Sequence, residues 1–340
     1  MSHRIRVGQP SDLDALYEMA KLTGGGFTNL PADRASLEAK LDRSARTLGS
    51  EDDPLEGGLV VLVLENATTD AVRGTCQIFT RVGAQWPFYS YRIGTLSQHS
   101  RELGRTFSAE TLTLCTDLEG ASEVGGLFLH PGERAGGLGM LLARSRYLFI
   151  RQHRARFADR ILAELRGIID EAGGSPFWDG VAGKFFGMPF QEADAFNAVH
   201  GNQFIADLMP KHPVYTAMLP DSARAAIGLP HPVGRAAMRM LEAEGFSHDR
   251  YIDVFDGGPT MVAQTDKVTS IAGAKQGRVV GIEPQLDGER RLVATGTGEE
   301  FIAAYARVAD GNEGALTIDK EGAGLLNIRT GAEVLHASRR

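Results

Sequence analysis

Along the chain, the spacing of apolar residues alternates between that typical of β-strands and that typical of α-helices. The first predicted element is a short strand at residues 4–7. A Pro-Ser-Asp helix start comes next, and Leu13, Leu16, Tyr17 and Ala20 then share one face of an amphipathic helix. Further along, continuous apolar runs predict strands, and longer periodic or aromatic-rich stretches predict helices. The strands are predicted at 58–65, 71–82 and 161–165, and the helices at 137–156 and 175–187.

Residues 123–142, EVGGLFLHPGERAGGLGMLL, join an apolar strand to a helix through a glycine-rich turn. The first N–H groups of a helix are unpaired and its dipole favours an anion, so such a junction can bind phosphate. Glycine at positions 136, 137 and 139 lets a pyrophosphate approach the backbone. The alternative interpretation is a plain glycine-rich turn between a strand and a helix.

Two familiar nucleotide loops do not fit this stretch. A dinucleotide fingerprint would need glycine where the chain has Leu142, and no Gly-Lys-Ser/Thr follows to form a P-loop. The segment Arg134-x-x-Gly137-x-Gly139 instead resembles the acyl-CoA loop of the GNAT superfamily of N-acyltransferases. The resemblance implies that the loop holds the CoA pyrophosphate and that the preceding strand hydrogen-bonds the pantetheine arm. The implied CoA-binding residues are Leu127, Phe128, Leu129, Arg134, Gly136, Gly137 and Gly139.

The resemblance also implies a fold. The element order β-α-α-β-β-β-α-β-α is that of GNAT proteins, which predicts an α/β (α+β) fold with a mixed twisted sheet and helices on both faces. We expect this domain to span residues 1–257, extended by a His-Pro, helix and strand segment at 206–257. Residues 258–340 contain short apolar runs between Gly, Asp and Asn turns, such as GRVVGIE, RRLVATG and GLLNIRT. They predict a small β-barrel-like C-terminal domain.

Longer segments resemble one family, arginine N-succinyltransferase. They are TGGGFTNLP (23–31), WPFYSYRIGTL (86–96), SPFW (175–178), ADLMPKHPVY (206–215), HPVGRAAMRMLEAEGF (231–246) and YIDVFDGGPT (251–260). The resemblance therefore covers residues from about 4 to about 260. It implies transfer of a succinyl group from the co-substrate succinyl-CoA to the α-amine of L-arginine, the first step of arginine catabolism. It also associates Leu127 with succinyl-CoA binding.

The chemistry of such a transfer can be stated without the resemblance. The guanidinium of arginine stays protonated at biological pH, which leaves the α-amine as the nucleophile. Direct attack needs no covalent intermediate, so the lack of a Cys-His or G-x-S-x-G arrangement is no obstacle. His130, His212 and His231 each precede proline and are either turn residues or candidate acids and bases. The family resemblance assigns the proton donor to His231. Tyr215 and Tyr251 are our own fallback donors, with a structural tyrosine as the alternative for each.

The substrates carry charges that need partners of opposite sign. Candidates for the succinyl carboxylate are Arg92, Arg166 and Lys211, and candidates for the guanidinium are Asp170, Glu171, Asp253 and Asp256. We favour Arg92, Arg166 and Asp253 as substrate-binding residues, although an ordinary ion pair is the alternative for each of them. The TGGGFTNLP loop is expected to fold over the acceptor, unless its glycines serve only as a helix C-cap.

Composition favours a cytoplasmic enzyme. The net charge of −7 without a long basic run argues against a nucleic-acid partner. The longest apolar run, Leu59–Leu64, is too short to cross a membrane, and the N-terminus lacks a signal-peptide pattern. Cys76 and Cys115 are expected to be reduced core residues, and the spacing of His, Cys and Asp predicts no metal site.

The sequence leaves the acceptor and the assembly open. Ornithine, another basic amino acid or another acyl-CoA is the alternative substrate, and a binding or regulatory subunit is the non-enzymatic alternative. The intact glycine loop and His231 argue against an inactive subunit. We expect a homo-oligomer, with a paralogous subunit as the alternative partner.

Overall fold

A computed structural model describes residues 2–23, 29–51, 53, 55–134 and 136–339. The strands are β1 (His3–Val7), β2 (Leu59–Asn66), β3 (Ala71–Phe79), β4 (Ser90–Ser100), β5 (Arg105–Cys115), β6 (Ser122–Leu129), β7 (Arg160–Glu164), β8 (Val214–Tyr215), β9 (Ser247–Asp253), β10 (Pro259–Gln264), β11 (Lys275–Glu283), β12 (Glu289–Thr295), β13 (Ile302–Asp310), β14 (Ala315–Asp319) and β15 (Glu333–Ser338). The helices are α1 (Leu13–Lys21), α2 (Arg34–Gly49), α3 (Leu138–Gln152), α4 (Pro176–Gly180), α5 (Gly183–Phe186), α6 (Phe190–His200), α7 (Gln203–Leu208), α8 (Asp221–Ala226), α9 (Arg235–Ala243), α10 (Thr269–Ala272) and α11 (Lys320–Leu326).

The chain divides into two compact units built from interleaved segments. Unit 1 comprises Met1–Thr80, Ser122–Asp159 and Gln264–Arg340, and unit 2 comprises Arg81–Ala121 and Arg160–Ala263. Within the described residues, no helix combines the length and the apolar character that crossing a bilayer requires.

Unit 1 contains a mixed sheet with the strand order β12-β15-β11-β14-β13-β1-β2-β3-β6, and β12 also pairs with β13, so that β11 to β15 form a closed, barrel-like ring. Helices cover both faces, which explains why β2 is buried along nearly its whole length rather than at alternate positions. Leu59, Val61 and Val63 pack with the apolar faces of α1 and α2. On the opposite face, Gly74 lies opposite Leu64, and a Cβ there would be 3.0 Å from Leu142 of α3. This layering is the one that the sequence predicts.

Unit 2 contains the strand order β7-β10-β9-β4-β5-β8 and an aromatic core. Trp178 stacks on Phe255 with ring centroids 5.6 Å apart. The single helix predicted at 175–187 is two short helices, α4 and α5, because Val181 has φ −117° and ψ −83° and interrupts them. Gly180 lets α4 pack closely on α8, since a Cβ there would clash with the Cβ of Ala223. The β4–β5 hairpin adds two strands to the predicted order.

The C-terminal segment differs from its prediction in two respects. The observed units do not divide at 257/258: β13 pairs antiparallel with β1, with Ile5 opposite Ala303, so the C-terminal strands extend the sheet of unit 1. The strand predicted at GLLNIRT is wrong, because these residues end α11 and Asn327 adopts φ 54° at its C-cap. The Asp319 carboxylate caps the start of this helix by accepting from the Gly322 N–H. GRVVGIE and RRLVATG do form strands, in β11 and β12.

Candidate functional site

Strand β6 carries a β-bulge in front of the glycine-rich turn. Thr75 of β3 pairs with Phe128 and Gln77 pairs with Gly125, so Gly126 and Leu127 together stand opposite a single residue of β3. Gly126 has φ 58°, and a Cβ there would be 2.9 Å from the Gln77 side chain. The position therefore requires glycine. A bulge interrupts the hydrogen-bond ladder, which frees backbone groups on this strand to meet a ligand.

The side chains of β6 beyond the bulge alternate between the two faces of the sheet. Phe128 is buried in the core beneath α1 and α2, whereas Leu127 and Leu129 are half-buried. A contribution of Phe128 to ligand binding would therefore come from its backbone. This arrangement fits the prediction that the strand binds the pantetheine arm through main-chain groups.

The turn after β6 presents an open helix N-terminus. His130 caps a short 3-10 turn, with its Nδ1 accepting from the Gly132 N–H at 3.2 Å. Gly136 and Gly137 have φ 66° and 83°, and α3 begins immediately after them. Nothing lies within 4 Å of a Cβ placed on Gly136, and the nearest atom to one on Gly139 is 3.9 Å away. The start of the 15-residue helix α3, where the first N–H groups are unpaired, is therefore open at Gly136 and Gly139 and suits phosphate. Arg134 beside it is exposed.

A lysine that the sequence analysis did not single out lies near the bulge. The Lys40 ammonium on α2 donates a long hydrogen bond of 3.5 Å to Gln77 Oε1, and Gln77 Nε2 donates to the Asn29 carbonyl at 2.6 Å. The pKa of Lys40 is lowered to about 8, mainly by burial and further by the Arg43 charge, against the attraction of Glu123. A signal was present in the sequence, because Lys40 follows Leu37 by three positions and so lies on the buried face of α2.

A buried arginine flanks the same strand from α3. Arg146 is 3% exposed, and its guanidinium donates to two carbonyl oxygens, that of Ala143 at 3.0 Å and that of Gly125 at 3.4 Å. Its charge therefore lies against the strand segment that carries the bulge. The sequence shows α3 as rich in arginine, but it does not show which of these arginines are buried.

In unit 2, His231 is anchored through its backbone and held in one tautomer. Its N–H donates to the Arg166 carbonyl at 2.8 Å, and the Val233 N–H donates to His231 Nδ1 at 3.3 Å. In a neutral ring this second bond places the proton on Nε2. Burial lowers the pKa of His231, and the positive charge of Arg166 lowers it further. The neutral imidazole is therefore the dominant form at pH 7.

The structure brings three of the predicted residues, His231, Arg166 and Asp253, into one electrostatic cluster and adds Asp194 of α6. Burial and the neighbouring Asp253 raise the pKa of Asp194 to about 6, while Arg166 opposes the shift. Within the described part of the chain, the buried Nε of Arg166 has no hydrogen-bond partner. Asp253 Oδ1 accepts from two backbone N–H groups, those of Phe255 and Asp256. Sequence offered no signal for Asp194, which lies on an otherwise unremarkable helix.

Other candidates already have structural partners. Arg92 forms an ion pair with Asp117 at 2.9 Å, and Tyr251 donates to the same carboxylate at 3.1 Å. Asp170 Oδ1 accepts from backbone N–H groups within its own turn. Asp256 accepts from Gly167 and Gly258 N–H groups and so holds two backbone segments together. A substrate role for Arg92 stays a prediction, and these contacts favour Arg166 over it.

Three further predictions concern the acceptor loop, the cysteines and metal binding. Most of the TGGGFTNLP loop, residues 24–28, lies outside the described residues. Cys76 and Cys115 are free thiols, and burial raises the pKa of Cys76 to about 12. Among the described residues, no group of three or more His, Cys, Asp or Glu side chains is placed to hold a metal ion.

Comparison with known proteins agrees with the resemblance seen in the sequence. The family model described as arginine N-succinyltransferase beta subunit matches residues 3–270. The arginine N-succinyltransferases of Escherichia coli O139:H28 and of Shigella flexneri are each 42% identical over 310 residues, covering 91% of this chain and 90% of the relative.

A solved structure is similar over the full length. The arginine/ornithine succinyltransferase subunit AI from Pseudomonas aeruginosa matches with a TM-score of 0.89 and 30% identity, covering 100% of this chain and 99% of that one. This similarity confirms the predicted α/β (α+β) fold class. Sequence, fold and family match agree, and the chain belongs to the arginine N-succinyltransferase family.

Proposed function

We propose that this protein is an acyltransferase that moves the succinyl group of succinyl-CoA to the α-amine of L-arginine, the entry step of arginine catabolism. The observation that carries the proposal is the bulged strand β6 followed by Gly136, Gly137 and the open N-terminus of α3. Together they supply free backbone groups for a pantetheine arm and a helix end for a pyrophosphate. The family match and the names of the relatives support the same activity.

The acyl donor is assigned to unit 1. The pyrophosphate would lie at Gly136, Gly137 and Gly139 beside Arg134, and the pantetheine arm along the backbone of Leu127, Phe128 and Leu129. Free N–H groups at the bulge would stabilise the oxyanion of the tetrahedral intermediate. The thioester carbonyl would then lie near Gly126.

Selection of a succinyl group requires a cation for its second carboxylate, and we assign this role to Lys40. Its ammonium lies 3.5 Å from Gln77, and the Gln77 side chain covers Gly126 at the bulge. A half-buried ammonium with a pKa lowered to about 8 is costly in the free protein. A carboxylate bound beside it would remove that cost. Acetyl-CoA lacks this carboxylate and would leave the ammonium uncompensated.

Proton transfer is assigned to His231. With Nδ1 accepting from the Val233 N–H, the neutral ring carries its exchangeable proton on Nε2. As the amine attacks, the C–N bond forms and the C–S bond breaks. The neutral His231 ring takes up, through water, the proton released by the amine nitrogen, and the imidazolium so formed gives its Nε2 proton to the departing sulfur. The enzyme thus ends with its original proton count.

The basic acceptor is assigned to the carboxylates around Arg166. Asp194 and Asp253 supply negative charge for a guanidinium, and the Arg166 cation supplies a partner for the acceptor's own carboxylate. The same charges would accept ornithine, and the Pseudomonas aeruginosa relative is named for both amino acids. We further propose that the enzyme works in the cytoplasm and assembles with copies of itself or with a paralogous subunit.

The proposal is tested by the release of free CoA from succinyl-CoA by the purified protein. Arginine, ornithine and lysine are compared as acceptors, and acetyl-CoA is compared as donor. We expect turnover with arginine and a preference for succinyl-CoA of about tenfold or more, because a charge-assisted hydrogen bond contributes about 1.5–3 kcal/mol. Equal kcat/KM for the two donors would overturn the succinyl assignment, and no turnover with any acceptor would overturn the activity.

A further inference from the structure

The C-terminal strands of unit 1 place several arginines on one sheet face around Tyr305. Arg290 of β12 stands directly opposite Arg307 of β13, and Leu292 pairs with both Tyr305 and Ala337. Because side chains two positions apart share a face, Arg290, Tyr305 and Arg307 lie on the same side. The guanidinium carbons of Arg290 and Arg339 are 5.0 and 5.2 Å from the Tyr305 ring centroid. We call Arg290, Arg307 and Arg339 the arginine cluster.

The arginine cluster has an excess of positive charge. Burial lowers the pKa of Arg290, and the charges of Arg339 and Arg307 lower it further. Asp319 opposes this shift, but its carboxylate already accepts from the Arg307 backbone N–H at 2.7 Å. Within the described residues, the buried Nη2 of Arg290 has no hydrogen-bond partner. Like charges placed opposite each other on neighbouring strands destabilise a sheet, so this cluster is suited to an anion.

The arginine cluster adjoins the start of α3. A Cβ built on Gly137 would be 3.2 Å from Nη2 of Arg339. Gly137 is the residue that immediately precedes the helix. Two features that favour anions, the helix N-terminus and the cluster, therefore lie side by side. Such a pair fits a ligand with two separate phosphate groups.

We propose that the arginine cluster binds the 3′-phosphate of the CoA donor while the pyrophosphate occupies the start of α3. The inference rests on the proposed use of an acyl-CoA and extends it to a segment outside the family match, which ends at residue 270. A phosphomonoester carries close to two negative charges and several acceptor oxygens, which planar guanidinium groups bind in pairs. The C-terminal strands thereby gain a role in donor binding as well as in extending the sheet.

The test compares CoA with dephospho-CoA, which lacks only the 3′-phosphate, by titration calorimetry on the full chain. The unmodified protein should bind CoA about tenfold or more tightly, as expected for charge-assisted hydrogen bonds to phosphate. Arg290→Gln and Arg339→Gln should each weaken CoA binding toward the dephospho-CoA value and leave dephospho-CoA binding unchanged. The matched control is Arg278→Gln, an exposed arginine of β11 outside the cluster, which should keep the full discrimination.

The outcomes separate this inference from the proposed function. If both CoA forms bind equally to the unmodified protein, the 3′-phosphate site is wrong and the acyl-CoA function stands. If the two variants lose affinity for both forms alike, the cluster acts on the fold or on the pyrophosphate, and the inference is overturned. If neither form binds to the unmodified protein, the acyl-CoA function fails along with it.

Discussion

Replacing Lys40 with methionine should stabilise the folded protein at neutral pH while impairing its choice of donor. The ammonium has a pKa of about 8 instead of 10.5, mainly because of burial. One pKa unit corresponds to about 1.4 kcal/mol, so the shift from 10.5 to about 8 sets an upper limit of roughly 3 kcal/mol. The side chain is only partly buried and water screens its charge, so we expect a gain of about 1–2 kcal/mol. Methionine keeps the unbranched apolar stem of lysine.

The effect has a defined pH window. Because the pKa in the folded state lies below that of the unfolded chain, the cost of the folded ammonium is fully present below about pH 8. This cost decreases as the pH rises, and it vanishes once both states are deprotonated above the ordinary lysine pKa of 10.5. The advantage of Lys40→Met should therefore be largest near pH 7 and small near pH 10.5.

Urea unfolding at the two pH values measures this difference. Lys267→Met, at an exposed position, is the matched control and should change the unfolding free energy little at either pH. In the activity assay, Lys40→Met should also reduce the preference for succinyl-CoA over acetyl-CoA by about tenfold or more. A variant less stable than the unmodified protein at pH 7 would refute the account of the buried charge. An unchanged donor preference would remove Lys40 from the proposed succinyl site.

Four further predictions address the remaining assignments. Gly137→Asp should abolish CoA binding in calorimetry, because it adds bulk and negative charge at the start of α3. The control for backbone strain is Gly104→Asp, at an open loop glycine with φ 59°, and this variant should bind CoA normally. His231→Gln should lower kcat by about 10²–10⁴-fold with little change in KM for succinyl-CoA. A near-normal kcat would show that His231 only stabilises the turn. In the unmodified enzyme, activity should fall at acidic pH with an apparent pKa below 6.5, as His231 becomes protonated. Arg166→Met should move this fall in activity to higher pH, because removing a positive charge raises the pKa of His231. An unchanged pH profile would contradict the assignment. Asp194→Asn should raise KM for arginine and leave KM for succinyl-CoA unchanged. In the unmodified enzyme, KM for arginine should rise as the pH falls through about 6, where Asp194 becomes protonated. If KM for arginine changes neither with the substitution nor with pH, Asp194 does not belong to the acceptor site.

Local sequence determined the features that need only neighbouring residues. The strand–glycine turn–helix junction is confirmed, because left-handed φ values at Gly136 and Gly137 and an immediate helix start are properties of a few consecutive positions. The family was likewise visible in long matching segments. Errors arose where local preference and packing disagreed. GLLNIRT is apolar enough for a strand, but the Asp319 cap and its packing on β13 make it helical.

Which charges are buried, and what surrounds them, depends on how distant segments of the chain pack together. Lys40, Arg146 and Asp194 occupy ordinary helical positions in the sequence, and each becomes chemically distinctive only when a strand, a turn or another carboxylate packs against it. The arginine cluster likewise depends on the register of β12, β13 and β15, and one residue of slip would move Arg290 to the opposite face. The family, the fold class and the glycine loop therefore follow from the amino-acid sequence alone. Burial and strand register determined the electrostatics, because the pKa of a group depends on neighbours that are distant along the chain.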